Sequence, residues 1–336
     1  MWRMTRTTQI FFATGFGLLL AFGLIFFTLN FPARTTTGAV AFGATFSTKY
    51  AESLGLDWKE VYGQSLDDLG IREYRIPAYW DRTEPRNGEY DFSDVDYQLD
   101  EASKRGAKVL LAVGRKLPRW PECHEPMWVR ELPSPQDRET ELLAYIRAVV
   151  ERYRANPVVY AWQVENEPFF PFGDCPAIFP WNVLKTEVDL VNELDPSRPL
   201  IVTESGEWSP WVHIGYFSDI IGVSMYREAW NDTFGYVPFP IGPGWYQLRD
   251  EWVRLLGKQV VVTELQVEPW GPIGVAEMSA EQIRHYMPLV KMRDNIAFAK
   301  DVGINTVYVW GVETWYLARQ IGAGEYWDEG KRLFGR

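Results

Sequence analysis

The chain has 336 residues, of which 46% are hydrophobic, and its formal net charge is −11. This length suits one large domain or two small ones after a short N-terminal region, with ample apolar material for a core. The negative charge disfavours nucleic acid, whose phosphates bind surfaces rich in Lys and Arg, and more weakly disfavours polyanionic ligands.

The first predicted element is an apolar helix over residues 10–31, a segment without charges that is long enough to cross a bilayer. Arg3 and Arg6 precede it, which favours a cytoplasmic tail over residues 1–9 and export of the part that follows. The pattern therefore predicts an uncleaved, single-pass membrane anchor.

After a linker over residues 32–38, residues 39–336 are predicted to form one domain on the extracytoplasmic side of the cell membrane. A cleaved signal peptide is the alternative, in which case the domain is secreted. Ala39-Val40-Ala41 has the small-x-small form of a cleavage site, but it lies well past the apolar segment and inside the first predicted strand.

The domain alternates runs of β-branched and aromatic residues with amphipathic segments, the pattern of parallel β/α units. The predicted strands are Ala39–Phe46, Glu73–Tyr79, Lys108–Val113, Val158–Val164, Leu200–Thr203, Ile220–Met225, Gln259–Thr263 and Thr306–Trp310. The predicted helices are Trp58–Leu69, Val95–Arg105, Glu139–Arg154, Trp181–Leu194, Tyr246–Leu256 and Ala280–Val302. Such a pattern favours a single (β/α)8 TIM barrel over a doubly wound sheet with a Gly-rich phosphate turn.

Aromatic residues are unusually frequent, with 16 Trp, 17 Tyr and 19 Phe. Most of them are expected in the core, but several stand beside Pro, Gly and charges in predicted loops, as in Pro118-Arg119-Trp120-Pro121 and Glu268-Pro269-Trp270-Gly271. Flat rings with polar neighbours suit a ligand that has apolar ring faces and a hydroxyl rim, which describes a sugar.

Acidic residues recur where the predicted strands end, which is the end at which such barrels carry their active sites. They are Glu165 and Glu167 after the fourth strand, Glu204 and Glu207 after the fifth, Glu264 and Glu268 after the seventh, and Glu313 after the eighth. Two carboxyl groups that converge across the mouth can cleave a glycosidic bond, because one protonates the leaving oxygen while the other attacks the anomeric carbon or activates water.

Two segments then resemble the clan A glycoside hydrolases, (β/α)8 retaining enzymes with catalytic glutamates after strands four and seven. Asn166-Glu167-Pro168 resembles their acid/base motif. Val261-Val262-Thr263-Glu264-Leu265 resembles their nucleophile motif and is most similar to the Thr-Glu-Leu form of family 10 xylanases. The resemblance implies that Glu167 is the acid/base, Glu264 the nucleophile and Asn166 the contact to the sugar 2-hydroxyl.

Other positions extend the resemblance. Tyr74-Arg75-Ile76-Pro77 is similar to strand two of family 5 enzymes, in which the arginine supports the nucleophile. Tyr226 matches the tyrosine that hydrogen-bonds the nucleophile, and Trp310 matches the tryptophan under the sugar at the cleavage point. Gln266 and Trp270 are predicted as further substrate contacts.

Two departures from family 5 show why the resemblance indicates the clan rather than one family. The sixth strand ends in Ser224-Met225-Tyr226 instead of His-x-Tyr, and Gly114-Arg115-Lys116 after the third strand lacks the usual histidine. The two glutamates do not depend on either histidine.

Cys123 and Cys175 fall in predicted loops at one end of the barrel. Export would bring them into an oxidising compartment, where a disulfide can form, and we predict that they pair. Two unpaired buried thiols are the alternative.

The predicted function is that of a retaining glycoside hydrolase, which cleaves β-linked, expected β-1,4-linked, poly- or oligosaccharides through a covalent glycosyl-enzyme intermediate. The aromatic loops favour an open cleft, and exo action stays open. The alternatives are a membrane-displayed carbohydrate-binding protein on a catalytically degenerate barrel and a transglycosylase that uses the same two glutamates. No cofactor, metal or nucleic-acid partner is expected, since the three histidines are widely spaced and no zinc or phosphate-loop motif occurs.

Overall fold

A computed structural model describes residues 6–32, 39–175 and 180–335. Eight of its strands are β1 (Ala41–Thr45), β2 (Glu73–Pro77), β3 (Lys108–Val113), β4 (Val159–Val164), β5 (Leu200–Glu204), β6 (Ile220–Met225), β9 (Gln259–Gln266) and β10 (Thr306–Trp310). They form a closed parallel barrel in the order β1-β10-β9-β6-β5-β4-β3-β2. The remaining two, β7 (Glu228–Asn231) and β8 (Gly235–Pro238), pair as an antiparallel hairpin. The predicted (β/α)8 barrel is therefore confirmed, and each predicted strand overlaps an observed one.

The helices surround the barrel. They are α1 (Arg6–Asn30), α2 (Thr48–Ser53), α3 (Trp58–Asp67), α4 (Trp80–Thr83), α5 (Ser93–Lys104), α6 (Met127–Arg130), α7 (Pro135–Tyr153), α8 (Trp181–Leu194), α9 (Pro243–Leu255), α10 (Ala280–Tyr286), α11 (Leu289–Val302), α12 (Val312–Gln320) and α13 (Glu325–Phe334). The prediction of one helix over residues 280–302 is wrong. Pro288 precedes α11 and separates it from α10, because proline cannot continue a helix in its interior.

All but the last of the residues predicted as a membrane anchor fall within α1, whose side chains are described from Thr14 onward. Within the described residues, no helix combines the length and the apolarity that a membrane crossing needs. The predicted transmembrane helix over residues 10–31 is therefore not supported by the structure. The predicted linker lies almost entirely outside the described residues.

The two largest apolar clusters of the core leave the polar interior residues at one end of the barrel. A large apolar cluster fills the space between the strands and the helices. A smaller cluster of Leu110, Ala161, Ile201 and Tyr308 fills the lower barrel interior. Gly43 makes room for the Tyr308 ring, because a Cβ at this position would lie 2.9 Å from the ring. The polar interior residues consequently lie near the carboxyl ends of the strands.

Candidate active site

Arg75 is the centre of the polar layer inside the barrel, where its side chain is fully buried. Its Nη1 donates to Glu264 Oε1 at 2.8 Å, its Nε to Gln163 Oε1 at 2.7 Å and its Nη2 to Asn166 Oδ1 at 2.5 Å. One guanidinium thus joins β2, β4 and β9, and it presents a positive charge to the Glu264 carboxylate. The structure brings together three residues that the sequence placed in one site.

Tyr226 holds the second oxygen of Glu264, since its hydroxyl donates to Oε2 at 3.2 Å. Glu207 fixes this tyrosine by accepting from its backbone N–H at 2.7 Å and from the Tyr246 hydroxyl at 2.5 Å. Burial raises the pKa of Glu207 to about 7. The sequence marked Glu207 only as one acid at a strand end, and its positioning contact depends on the folded loop.

Glu167 lies at the end of β4 in a left-handed backbone conformation, with φ of 43°. Its backbone N–H donates to Thr203 Oγ1 at 2.8 Å. The side chains of Glu167 and Glu264 are enclosed, since these residues are only 9% and 6% exposed. Burial and the nearby Glu264 raise the pKa of Glu167 well above its usual value. A carboxyl group that stays protonated near neutral pH is suited to act as a general acid.

Asn166 is oriented at both ends of its amide. Its Oδ1 accepts from Arg75 and from Thr203 Oγ1 at 3.0 Å, and its Nδ2 donates to Glu122 Oε2 at 3.1 Å. Glu122 is a third buried carboxyl group of the site, and burial and the nearby Glu264 raise its pKa to about 8. The sequence analysis missed it, because it lies inside the loop after β3 and away from any strand end.

The ring of Trp310 stacks against the guanidinium group of Arg119. The Arg119 guanidinium lies 3.9 Å from the centroid of the Trp310 ring and 3.6 Å from that of Tyr50. Arg119 also forms an ion pair with Glu268, and its Nη2 lies 3.4 Å from Glu313 Oε2. Burial opposes the charge of Arg119, but the two glutamates more than offset this, so that its pKa is held above the ordinary value.

Gln266 and Trp270, the two further predicted substrate contacts, have different neighbours: the first binds backbone groups and the second contacts aromatic rings. The Gln266 amide accepts from the backbone of Arg227 at 2.9 Å and donates to Glu228 O at 3.1 Å, so it holds the base of the hairpin. Trp270 is half-buried, and its ring makes edge contacts with Tyr226 at 5.8 Å and with Phe172 at 6.3 Å between centroids. Trp270 therefore lies directly beside the residues that surround Glu264.

Glu165, two residues before Glu167, points away from this centre. Its carboxylate accepts from the backbone N–H groups of Arg115 at 2.9 Å and of Lys116 at 2.7 Å. The carboxyl group of Glu187 on α8 faces it in the interior, and burial raises the pKa of Glu165 to about 7. Glu165 therefore fixes the backbone at the start of the loop after β3 through these two hydrogen bonds.

The loops after β3 and β4 are joined covalently by a disulfide between Cys123 and Cys175, whose Cα atoms lie 5.2 Å apart. The cross-link lies one residue from Glu122. Over the described part of the chain, no group of three or more His, Cys, Asp or Glu side chains is arranged to hold a metal ion.

Comparison with known proteins gives one family match. The family described as "Glycosyl hydrolase family 10" matches residues 77–178, which run from β2 to the loop after β4. Endo-1,4-beta-xylanase 2 of Claviceps purpurea is 27% identical over 37% of this chain and 38% of its own length. Mannan endo-1,4-beta-mannosidase A of Podospora anserina is 28% identical over 37% of this chain and 36% of its own length. The chain thus matches only about two fifths of these relatives.

Solved structures cover more of the chain and show the same fold. GH5_18 from Streptomyces cattleya, in complex with GlcNAc, has a TM-score of 0.57 at 17% identity over 88% of this chain and 80% of its own. Xylanase 10B from Thermotoga maritima has a TM-score of 0.55 at 16% identity over 81% of this chain and 82% of its own.

Proposed function

We propose that this chain, whose family match, relatives and fold support a clan A (β/α)8 glycoside hydrolase, is a retaining β-glycoside hydrolase with Glu264 as nucleophile and Glu167 as acid/base. The contrast between the two carboxyl groups carries the proposal. Arg75 and Tyr226 each donate a hydrogen bond to Glu264, while burial and the nearby Glu264 raise the pKa of Glu167 well above its usual value.

The reaction proceeds in two displacements. In the first, a Glu264 oxygen forms a bond to the anomeric carbon while the bond to the leaving oxygen breaks, and the leaving oxygen takes the proton of Glu167. In the second, the Glu167 carboxylate removes a proton from water, whose oxygen displaces Glu264 from the anomeric carbon. The charge of Glu264 is absent in the covalent intermediate, which lowers the proton affinity of Glu167 and suits it to act as base.

We propose a β-linked, and specifically β-1,4-linked, poly- or oligosaccharide as substrate. The aromatic rings around the carboxyl groups, which are half-buried at Tyr226 and Trp270 and buried at Trp310, support a sugar ligand. The relatives named as endo-1,4-beta-xylanase and as mannan endo-1,4-beta-mannosidase support the linkage.

The test compares the full chain with Glu167→Ala and Glu264→Ala on aryl β-glycosides and on β-glucan, xylan and mannan. Both variants should lose activity, and azide should rescue Glu264→Ala with formation of the glycosyl azide of inverted configuration. Glu89→Ala serves as control, because Glu89 lies in an exposed ion pair with Arg86. Activity that survives the loss of Glu264 would contradict the mechanism, and sugar binding without turnover would indicate the binding protein.

The membrane anchor and the extracytoplasmic location are proposals from the sequence. The charge-free apolar segment over residues 10–31 and the two preceding arginines support them. Alkaline carbonate extraction of the full chain, compared with a chain that starts at residue 36, tests the anchor. Release of both forms into the supernatant would overturn it.

A further inference from the structure

The loop after β3 crosses the mouth of the barrel. In the strand order, β3 and β9 lie opposite each other with three strands between them on either side. Arg119 belongs to the loop after β3, yet it pairs with Glu268, which follows β9, and with Glu313, which follows β10. These contacts form the mouth bridge, which we define as Arg119, Glu268 and Glu313.

The mouth bridge is buried on all sides. Arg119 is 6% exposed, Glu268 is 7% exposed and Glu313 has no exposed surface. Thr314 Oγ1 donates to Glu268 Oε2 at 2.6 Å, and the Ser47 backbone N–H donates to Glu313 Oε1 at 2.6 Å. A sugar chain cannot pass through this network without separating buried charges, which is costly.

A second contact narrows the centre of the mouth. Phe172 after β4 meets Trp270 after β9 and Trp120 after β3, with centroids 6.3 Å apart in each pair. The loops after β3, β4 and β9 therefore meet, and Trp270 connects this contact to Tyr226, which donates to Glu264. These contacts favour a narrower mouth than the open cleft that the aromatic loops suggested in the sequence.

The mouth bridge covers the side of the barrel mouth that is formed by the ends of β10 and β1. Arg119 stacks on Trp310 at the end of β10 and on Tyr50 after β1, and β10 lies opposite β4, which carries Glu167. Glu167 protonates the leaving oxygen, so the leaving group departs on the β4 side of the mouth, and β5 is the neighbour of β4 that lies away from the loop after β3. There the loop after β5 presents Trp208 with 67% of its surface exposed. The closed side consequently faces the sugar that becomes attached to Glu264.

We propose that the mouth bridge makes the site a pocket closed on the glycone side, so that the enzyme removes single sugars from non-reducing chain ends. The inference rests on the proposed hydrolase function and specifies its mode of action. The substrate class is a β-linked oligosaccharide or glycoside with a free non-reducing end, and the loop after β5, which carries Trp208, receives the leaving portion.

The first experiment uses the full chain and hexasaccharides of β-1,4-linked glucose, xylose and mannose, each labelled at the reducing end. The expected first labelled product is the pentasaccharide, with free monosaccharide released in equal amount. A bulky substituent on the terminal 4-hydroxyl should lower the rate at least tenfold. Early labelled products of mixed shorter lengths would overturn the pocket.

Labelling with 2-deoxy-2-fluoro-β-glycosyl fluorides of the same three sugars separates this inference from the proposed function. A covalent adduct on Glu264 together with internal cleavage would leave the function intact and refute the pocket. Absence of both adduct and hydrolysis would overturn the function and the pocket with it.

A variant tests the bridge itself. Arg119→Ala should raise the ratio of internal to terminal cleavage at least tenfold, and Glu268→Gln, which keeps the side-chain shape, should raise it less. Arg86→Ala is the matched control, because this arginine forms an exposed pair on another loop of the same mouth. The product pattern of the wild-type protein decides the case even if Arg119→Ala does not fold. An unchanged ratio in two folded bridge variants would show that the bridge does not close the site.

Discussion

Two buried arginines, Arg75 and Arg119, each connect distant strands at the carboxyl end of the barrel, one from a strand and the other from a loop. Arg75 projects from β2, and its three donor groups bind Gln163 on β4, Asn166 directly after β4 and Glu264 on β9. Arg119 projects from a loop in a left-handed conformation, with φ of 84°, and joins the same end of the barrel from above. Arg75 forms an ion pair with Glu264, whereas Arg119 forms ion pairs with Glu268 and Glu313.

The difference shows what the barrel and its loops contribute separately. The direction of Arg75 follows from strand alternation and register, so it is inherent in the barrel. The position of Arg119 follows from the loop fold, which the Glu165 carboxylate and the disulfide hold at either end. We therefore expect chemistry to depend mainly on Arg75, and stability and mode of cleavage to depend mainly on Arg119.

The largest effect is expected from Arg119→Met, which leaves Glu268 and Glu313 buried without their cation. Loss of one partner of a buried ion pair costs about 3–5 kcal/mol. Urea denaturation of the full chain should show this decrease in the free energy of unfolding. The double variant Arg119→Met/Glu268→Gln should recover part of it, whereas strict additivity of the two single changes would contradict a coupled bridge.

Arg75→Lys tests whether Arg75 contributes mainly to catalysis rather than to stability. Lysine keeps the positive charge but cannot reach Gln163, Asn166 and Glu264 with one planar fork. We expect kcat/KM to fall by about 10²–10³-fold, the range seen when a preorganised contact at a reacting centre is lost. The melting temperature should change less than in Arg119→Met. Activity within threefold of the wild-type value would show that Arg75 is only a structural residue.

Removal of the disulfide tests how far the loop after β3 depends on its covalent link. Cys123→Ser/Cys175→Ser should lower the free energy of unfolding by about 2–4 kcal/mol. Because Glu122 and Arg119 lie in the linked loop, activity should fall and the share of internal cleavage should rise. Reduction of the wild-type protein with dithiothreitol should reproduce both changes, and a variant with unchanged product pattern would assign the disulfide to stability alone.

Residues at strand ends could be predicted from the sequence, whereas residues inside the loops could not. Glu167, Glu264, Arg75 and Tyr226 were predictable, because strand ends in a parallel barrel converge and the motifs name the residues. Arg119 and Glu122 were not, since they lie within a loop whose path no local pattern specifies. For the same reason the aromatic loops could not decide between an open cleft and a closed pocket, although the sequence did indicate that Trp310 and Trp270 lie at or after the ends of barrel strands.

The smallest expected effect concerns Glu165 and Glu187, which face each other below the loop after β3. Burial raises the pKa of Glu165 from 4.5 to about 7 and that of Glu187 well above 4.5. A folded-state pKa above the unfolded value means that the contribution to stability is complete below about pH 4.5 and is lost as the pH rises through 7 and beyond.

Glu187→Gln removes one of these titrating groups and still offers Glu165 a hydrogen-bond donor. The free energy of unfolding of the wild-type protein should therefore fall more steeply between pH 5.5 and 8.5 than that of Glu187→Gln, and the variant should be the more stable protein at pH 8.5. Glu193→Gln on the exposed face of α8 is the matched control and should follow the wild-type curve. Parallel curves for all three proteins would mean that Glu187 keeps its proton throughout this range, and that other buried acids, such as Glu122 with its pKa of about 8, cause the decline.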